Sequence, residues 1–132
     1  MKSNRFFTIA FDARNSSEMR YVERKVGGGL LTFGRWIALL GMLHEQDGAI
    51  DLSAPVMREV VRDELEFASD EELDAFVEAI ADVRWVDPGM WHDKRHLISE
   101  NVIGQIEYRK KRAEAGRKGG EAQGGNRKKK GA

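Results

Sequence analysis

Apolar positions along the chain recur at helical spacing in successive stretches, each closed by glycine, proline or a capping residue. Asn15, Ser16 and Ser17 offer N-cap oxygens to a first helix running to about Val26, where Gly27, Gly28 and Gly29 stop it. The second helix carries the clearest stripe: Phe33, Trp36, Ile37, Leu40 and Leu43 follow the i, i+3, i+4, i+7 rule, and Gly48 closes it. Ala49 to Leu52 reads as a short strand. Ser53 is placed to cap a third helix, with Pro55 in its first turn and Met57, Val60, Val61 and Leu65 on one face. Ser69 and Glu72 form a capping box that opens a fourth helix, with Leu73, Phe76, Val77 and Ile80 as its buried stripe. Ser99 caps the last helix, and Val102, Ile103 and Ile106 face inward.

Two segments are less regular. Phe6 to Phe11 is an aromatic and β-branched run, suited to an edge strand or to an extended arm. Arg84 to Val86 and His96 to Ile98 are strand candidates joined by the turn Asp87-Pro88-Gly89 and a longer tip, which predicts a β-hairpin. The fold class that follows is mainly α with a small β-hairpin, in the order α/α/β/α/α/β-hairpin/α. Its central part has the winged-helix order. Trp36, Ile37, Leu40, Phe76, Val77 and Ile80 are expected to share one core. The folded domain covers 1–115, ending in a basic exit helix. The stretch 116–132 is too rich in glycine and lysine to fold alone and is expected to be a disordered tail.

Charge changes the picture. The 132 residues sum to zero net charge, but the sign is unevenly distributed. From Arg109 onward there are ten basic residues and two acidic ones, a net of +8, so the preceding 108 residues carry −8. The basic residues are Arg109, Lys110, Lys111, Arg112, Arg117, Lys118, Arg127, Lys128, Lys129 and Lys130. An acidic body with a basic arm suggests a nucleic-acid or anionic partner, because Lys and Arg displace counterions from a phosphate backbone. No aromatic follows Tyr108, so the tail itself offers no stacking surface.

Other constellations point away from catalysis. No cysteine is present, which excludes disulfides, thiolate metal sites and cysteine nucleophiles. The longest apolar run, Trp36 to Leu40, is far short of the ~20 residues of a membrane span, so no membrane role and a cytoplasmic location are expected. Lys25 and the three glycines after Val26 lack the phosphate-loop spacing and read as a helix stop. His44 ends a helix beside Glu45 with no nucleophile to activate. His92 and His96 have no evident third ligand, so no metal or other cofactor is expected. At the hairpin tip, Lys94 and Arg95 are candidate phosphate contacts, while Trp85 and Trp91 read as packing residues. The fourth helix would be the groove-reading element of a winged helix, yet Asp70, Glu71, Glu72, Asp74, Glu78 and Asp82 make it acidic, and like charge opposes phosphate.

Taken together these residues resemble the N-terminal domain family of phage and prophage replisome organisers, related in element order to DnaD-like replication initiation proteins. The resemblance spans roughly residues 8–118. It is carried by the helix with Phe33, Trp36, Ile37 and Leu40, the turn from Glu45 to Gly48, and the exit helix with Ile103, Gln105, Ile106, Tyr108, Arg109, Arg112 and Ala113. The run Ala115-Gly116-Arg117-Lys118 is similar to the linker that follows in that family. The resemblance implies a non-enzymatic DNA-binding module of replication initiation, acting on duplex or single-stranded DNA through the basic helix and tail. The alternative is a protein-interaction or self-association module of a replication complex that docks through the acidic fourth helix.

Overall fold

A computed structural model describes the backbone of residues 7–131 and the side chains of residues 7–118. The elements run α1 (Ser17–Val26), α2 (Leu30–Glu45), β1 (Ala49–Asp51), α3 (Pro55–Glu64), α4 (Asp70–Asp82), α5 (Pro88–Lys94), β2 (His96–Ile98) and α6 (Glu100–Gly131). Before α1, residues 7–10 are an extended arm rather than a strand, followed by a short 3-10 turn, Ala13–Asn15.

Local chemistry sets most boundaries. Ser16 accepts the Met19 N–H at 3.1 Å and caps α1, which stops at Gly27 in a positive-φ conformation. Ser69 accepts the Glu72 N–H at 3.2 Å, and the Glu72 carboxylate returns to accept the Ala68 N–H at 2.9 Å. Ser53, expected to cap α3, instead serves the turn after β1, where its N–H reaches Asp51 Oδ1 at 2.9 Å. Ala54 is the N-cap residue and Pro55 opens the helix. Val61 and Leu65 of the expected α3 stripe are buried, whereas Val60 is exposed.

The hairpin expectation is corrected. Arg84 to Val86 forms no strand, and the Asp87-Pro88-Gly89 turn is the start of α5. Asp87 accepts the Gly89 N–H at 3.0 Å, and Pro88 presets the first helical φ. Burial decides between turn and helix here: α5 drives Trp91 into the core at 0% exposure, its indole N–H donating to Glu78 Oε2 at 2.9 Å. The strand partner of β2 is β1, antiparallel, with Ala49 opposite Ile98 and Asp51 opposite His96. The sheet therefore ties the segment before α3 to the segment before α6, across α3, α4 and α5.

One core joins the elements. Leu39, Leu43, Leu73, Phe76, Val77, Ile80, Trp91 and Leu97 are its large buried members. Trp36 and Leu40 pack against it half-buried, with Trp36 stacked on Trp85 at 4.4 Å. Ile37, expected in this core, is half-buried and lines a recess outside it. The reason is that α2 is apolar nearly all round: of the predicted stripe Leu43 alone is fully buried, and the other buried positions, Thr32 and Leu39, lie outside it.

Gly48 positions α6. Its φ is +89°, and a Cβ there would collide with Ile103 Cγ1. Gly48→Ala should therefore lower stability by at least about 2 kcal/mol, from left-handed strain of ~1–2 kcal/mol and overpacking of ~1–3 kcal/mol. Chemical denaturation measures this, and an unchanged midpoint would show that α6 does not seat on the turn.

Candidate nucleic-acid interface

The basic residues are set out by α6. Ser99 caps it by accepting the Val102 N–H at 3.2 Å, and Val102 is buried, with Ile103 and Ile106 half-buried below it. This first part packs against α2. From Tyr108 through Lys118 every residue is exposed, so the helix leaves the core as it turns basic. The expected helix end near Ala115 is not marked. Helix continues through Gly131, with no proline to interrupt it and Ala, Glu, Gln, Lys and Arg among its glycines. Arg117 and Glu114 pair at 2.9 Å one turn apart.

Arg109, Lys110, Lys111, Arg112, Arg117 and Lys118 thus stand on one projecting helix. Lys110, Lys111 and Lys118 share one side of it with Glu114. Arg112 lies 5.8 Å from the Tyr108 ring centroid. Arg109 donates to His44 Nδ1 at 2.8 Å. The backbone of Arg127, Lys128, Lys129 and Lys130 belongs to α6, but their side chains lie outside the described residues.

Lys94 and Arg95 are not brought to this surface. They end α5, which packs on α4 and β2 rather than on α6. Arg95 adopts φ +57° as the helix cap and lays its guanidinium 4.5 Å from the Trp91 ring centroid. Both stay exposed at the end of that helix rather than on a hairpin tip. His92 and His96 are likewise separated: His92 meets Glu78 at 2.6 Å and His96 meets Asp51 at 3.1 Å. Among the described residues no cluster of three metal-ligating side chains forms.

The acidic helix α4 is largely engaged within the chain. Asp74 pairs with Arg58 at 2.8 Å and Asp70 with Arg62 at 3.3 Å, while Asp82 accepts from Tyr21 at 2.7 Å. Glu72 completes the capping box, and Glu78 receives both Trp91 and His92. Those carboxylates hold α1, α3 and α5 against α4. Hydrogen bonds from His92 and then Trp91 keep the Glu78 carboxyl below its ordinary range.

His44 links α2 to α6. Phe7 from the N-terminal arm stacks on its ring at 4.7 Å, nearly parallel. Burial, then the adjacent Arg109 guanidinium, lowers the His44 pKa below its ordinary value. The folded chain therefore resists protonation more than the unfolded chain. The stability from neutral His44 is complete above about pH 6.5 and is lost as pH falls through the lowered folded value. Thermal unfolding followed from pH 8 to pH 5 should show a falling midpoint, and His44→Gln should flatten that fall. An equally steep decline in the variant would place the titrating group elsewhere.

Sequence reasoning missed the surroundings of this helix. Phe7, Thr8, Asn101, Gly104 and Gln105 meet in an open groove beside Tyr108 and Arg109. The only available signal was that Asn101, Gly104, Gln105 and Tyr108 recur at helical spacing on the exit helix.

Comparison with family models, curated proteins and solved structures finds no match for this chain. No single helix among the described residues is long and apolar enough to cross a membrane.

Proposed function

We propose that this chain is a non-enzymatic DNA-binding module of phage or prophage replication initiation, which contacts the phosphate backbone through α6 and the residues that follow its core anchor. The observation that carries this reading is the cationic run from Arg109 to Lys118, exposed on a helix whose first turns are fixed in the core. Such a helix holds its charge density at a defined place beyond the body, where counterions are released on meeting a polyanion. The preceding 108 residues carry a net −8, which orients the arm toward the polyanion and the body away from it. A winged-helix ancestry is part of the same proposal: it is supported by the order α2, β1, α3, α4, β2, and it lacks the hairpin wing.

Docking of α4 in a groove is disfavoured, because its acidic side chains face phosphate with like charge and most are engaged within the chain. The same engagement weakens the alternative of an acidic docking surface for a protein partner. Phosphate contacts carry no base information. The test is fluorescence anisotropy with two duplexes of equal length and unrelated sequence, for which nearly equal affinities are expected. Absence of binding to both would refute the proposal.

A further inference from the structure

The N-terminal arm lies across α2 and α6. Phe7 stacks on His44 and passes over Gly41, where a Cβ would sit 3.8 Å from the Phe7 ring. Phe7 and Thr8 form one wall of a groove of about 470 Å³, and Asn101, Gly104, Gln105 and Tyr108 of α6 form the other. That volume falls within the ~300–1,000 Å³ typical of small-molecule sites. An inner recess of about 270 Å³ shares Phe7, Thr8, Asn101 and Gln105 and leads to the stacked Trp36 and Trp85.

The helical repeat extends this wall in one direction. Residues 101, 104, 105, 108, 111, 112, 115 and 118 follow the i, i+3, i+4, i+7 spacing of a single helix face. The groove therefore passes directly into Lys111, Arg112 and Lys118, all exposed. At its other end stands Glu100, which repels phosphate.

We infer that this groove receives an unstacked base of a single-stranded nucleic acid, with the strand's phosphates lying along Lys111, Arg112 and Lys118. This deepens the DNA-binding reading and rests on it. A base needs an aromatic face and a donor–acceptor pair at its edge. Tyr108, 61% exposed, supplies the face. Gln105 donates its amide to Asn101 Oδ1 at 3.3 Å, which leaves the Asn101 amide N–H and the Gln105 carbonyl to meet the base. Gly104 keeps the floor open, since a Cβ there would meet nothing within 4 Å. A base paired in a duplex has neither face nor edge available, so the ligand is single-stranded.

The test uses the full chain and two probes of equal length and charge, a thymidine oligonucleotide and an abasic strand. The thymidine strand should bind about tenfold more tightly, in the range of one stacked base. Gly104→Leu and Tyr108→Ala should each remove that advantage and leave abasic-strand binding unchanged. Gly104→Leu sets its Cβ in open space and replaces glycine by a better helix former, so its melting temperature should hold or rise. Equal binding of both probes with a common salt dependence would overturn the base site while the phosphate-binding reading stands. An advantage that survives both substitutions would place base contact elsewhere and overturn the groove. Failure of both strands to bind would overturn both readings.

Discussion

A chain ended after Tyr108 should lose at least about a hundredfold in DNA affinity at 0.1 M salt, because the residues removed carry the net +8. What remains is a body of net −8, which repels the polyanion. The fold should survive. Val102, Ile103 and Ile106, which seat α6, all precede the cut, and from Arg109 to Lys118 every side chain is exposed. The melting temperature should therefore move little, since Arg109 to Lys118 contributes almost no apolar burial. Anisotropy and thermal unfolding on the same two proteins separate the effects. A truncated chain that retains its affinity would put the contact on another surface. A truncated chain that fails to fold would show that the projecting helix is structural.

The second large effect is on stability. Trp91→Ala should cost about 3–5 kcal/mol, the range for deleting a fully buried aromatic. Typical domains are stable by only about 5–15 kcal/mol, so the variant should be close to unfolding at ambient temperature. Three losses coincide at this residue: the buried indole, the Nε1–H donated to Glu78, and the surface on which Arg95 lies. A urea titration gives the value. A loss of under about 1 kcal/mol would mean that α5 is peripheral and that Trp91 is not a core residue.

These two cases show how legibility differed between parts of the chain. Ser69 and Ser99 were readable as caps, and Ser16 as one of three candidates, because capping is settled within one turn of helix; all three accept a backbone N–H, whereas Ser53, read in the same way, does not cap α3. Asp87-Pro88-Gly89 was ambiguous at that range. It suits a hairpin turn and also the N-cap and first turn of a helix, and seven residues are too few to display a helical period. Burial of Trp91 against α4 resolved it, and no local pattern reports such a contact. The pairing of β1 with β2 was hidden for the same reason, since the two strands are separated by three helices.

The candidate interface divides in the same way. The charge of the basic run could be read directly, but its helical setting only as far as about Ala115, whereas α6 continues through Gly131. Lys94 and Arg95 were expected at a hairpin tip and stand instead, still exposed, at the end of α5. Of the groove only its α6 wall left a trace in the sequence, because it exists where Phe7 and Thr8 meet Asn101 and Tyr108 from a distant part of the chain. His44, readable only as a helix-end histidine, acquires its role from Phe7 above and Arg109 beside it.

The central claim is that affinity comes from phosphates neutralised by the projecting basic helix. Its most direct measurement is the binding constant of the full chain for duplex DNA across a salt series. With about five phosphates neutralised, log K should fall linearly with log[salt] at a slope of roughly −4 to −5. A slope near zero, or no binding at low salt, would contradict the account.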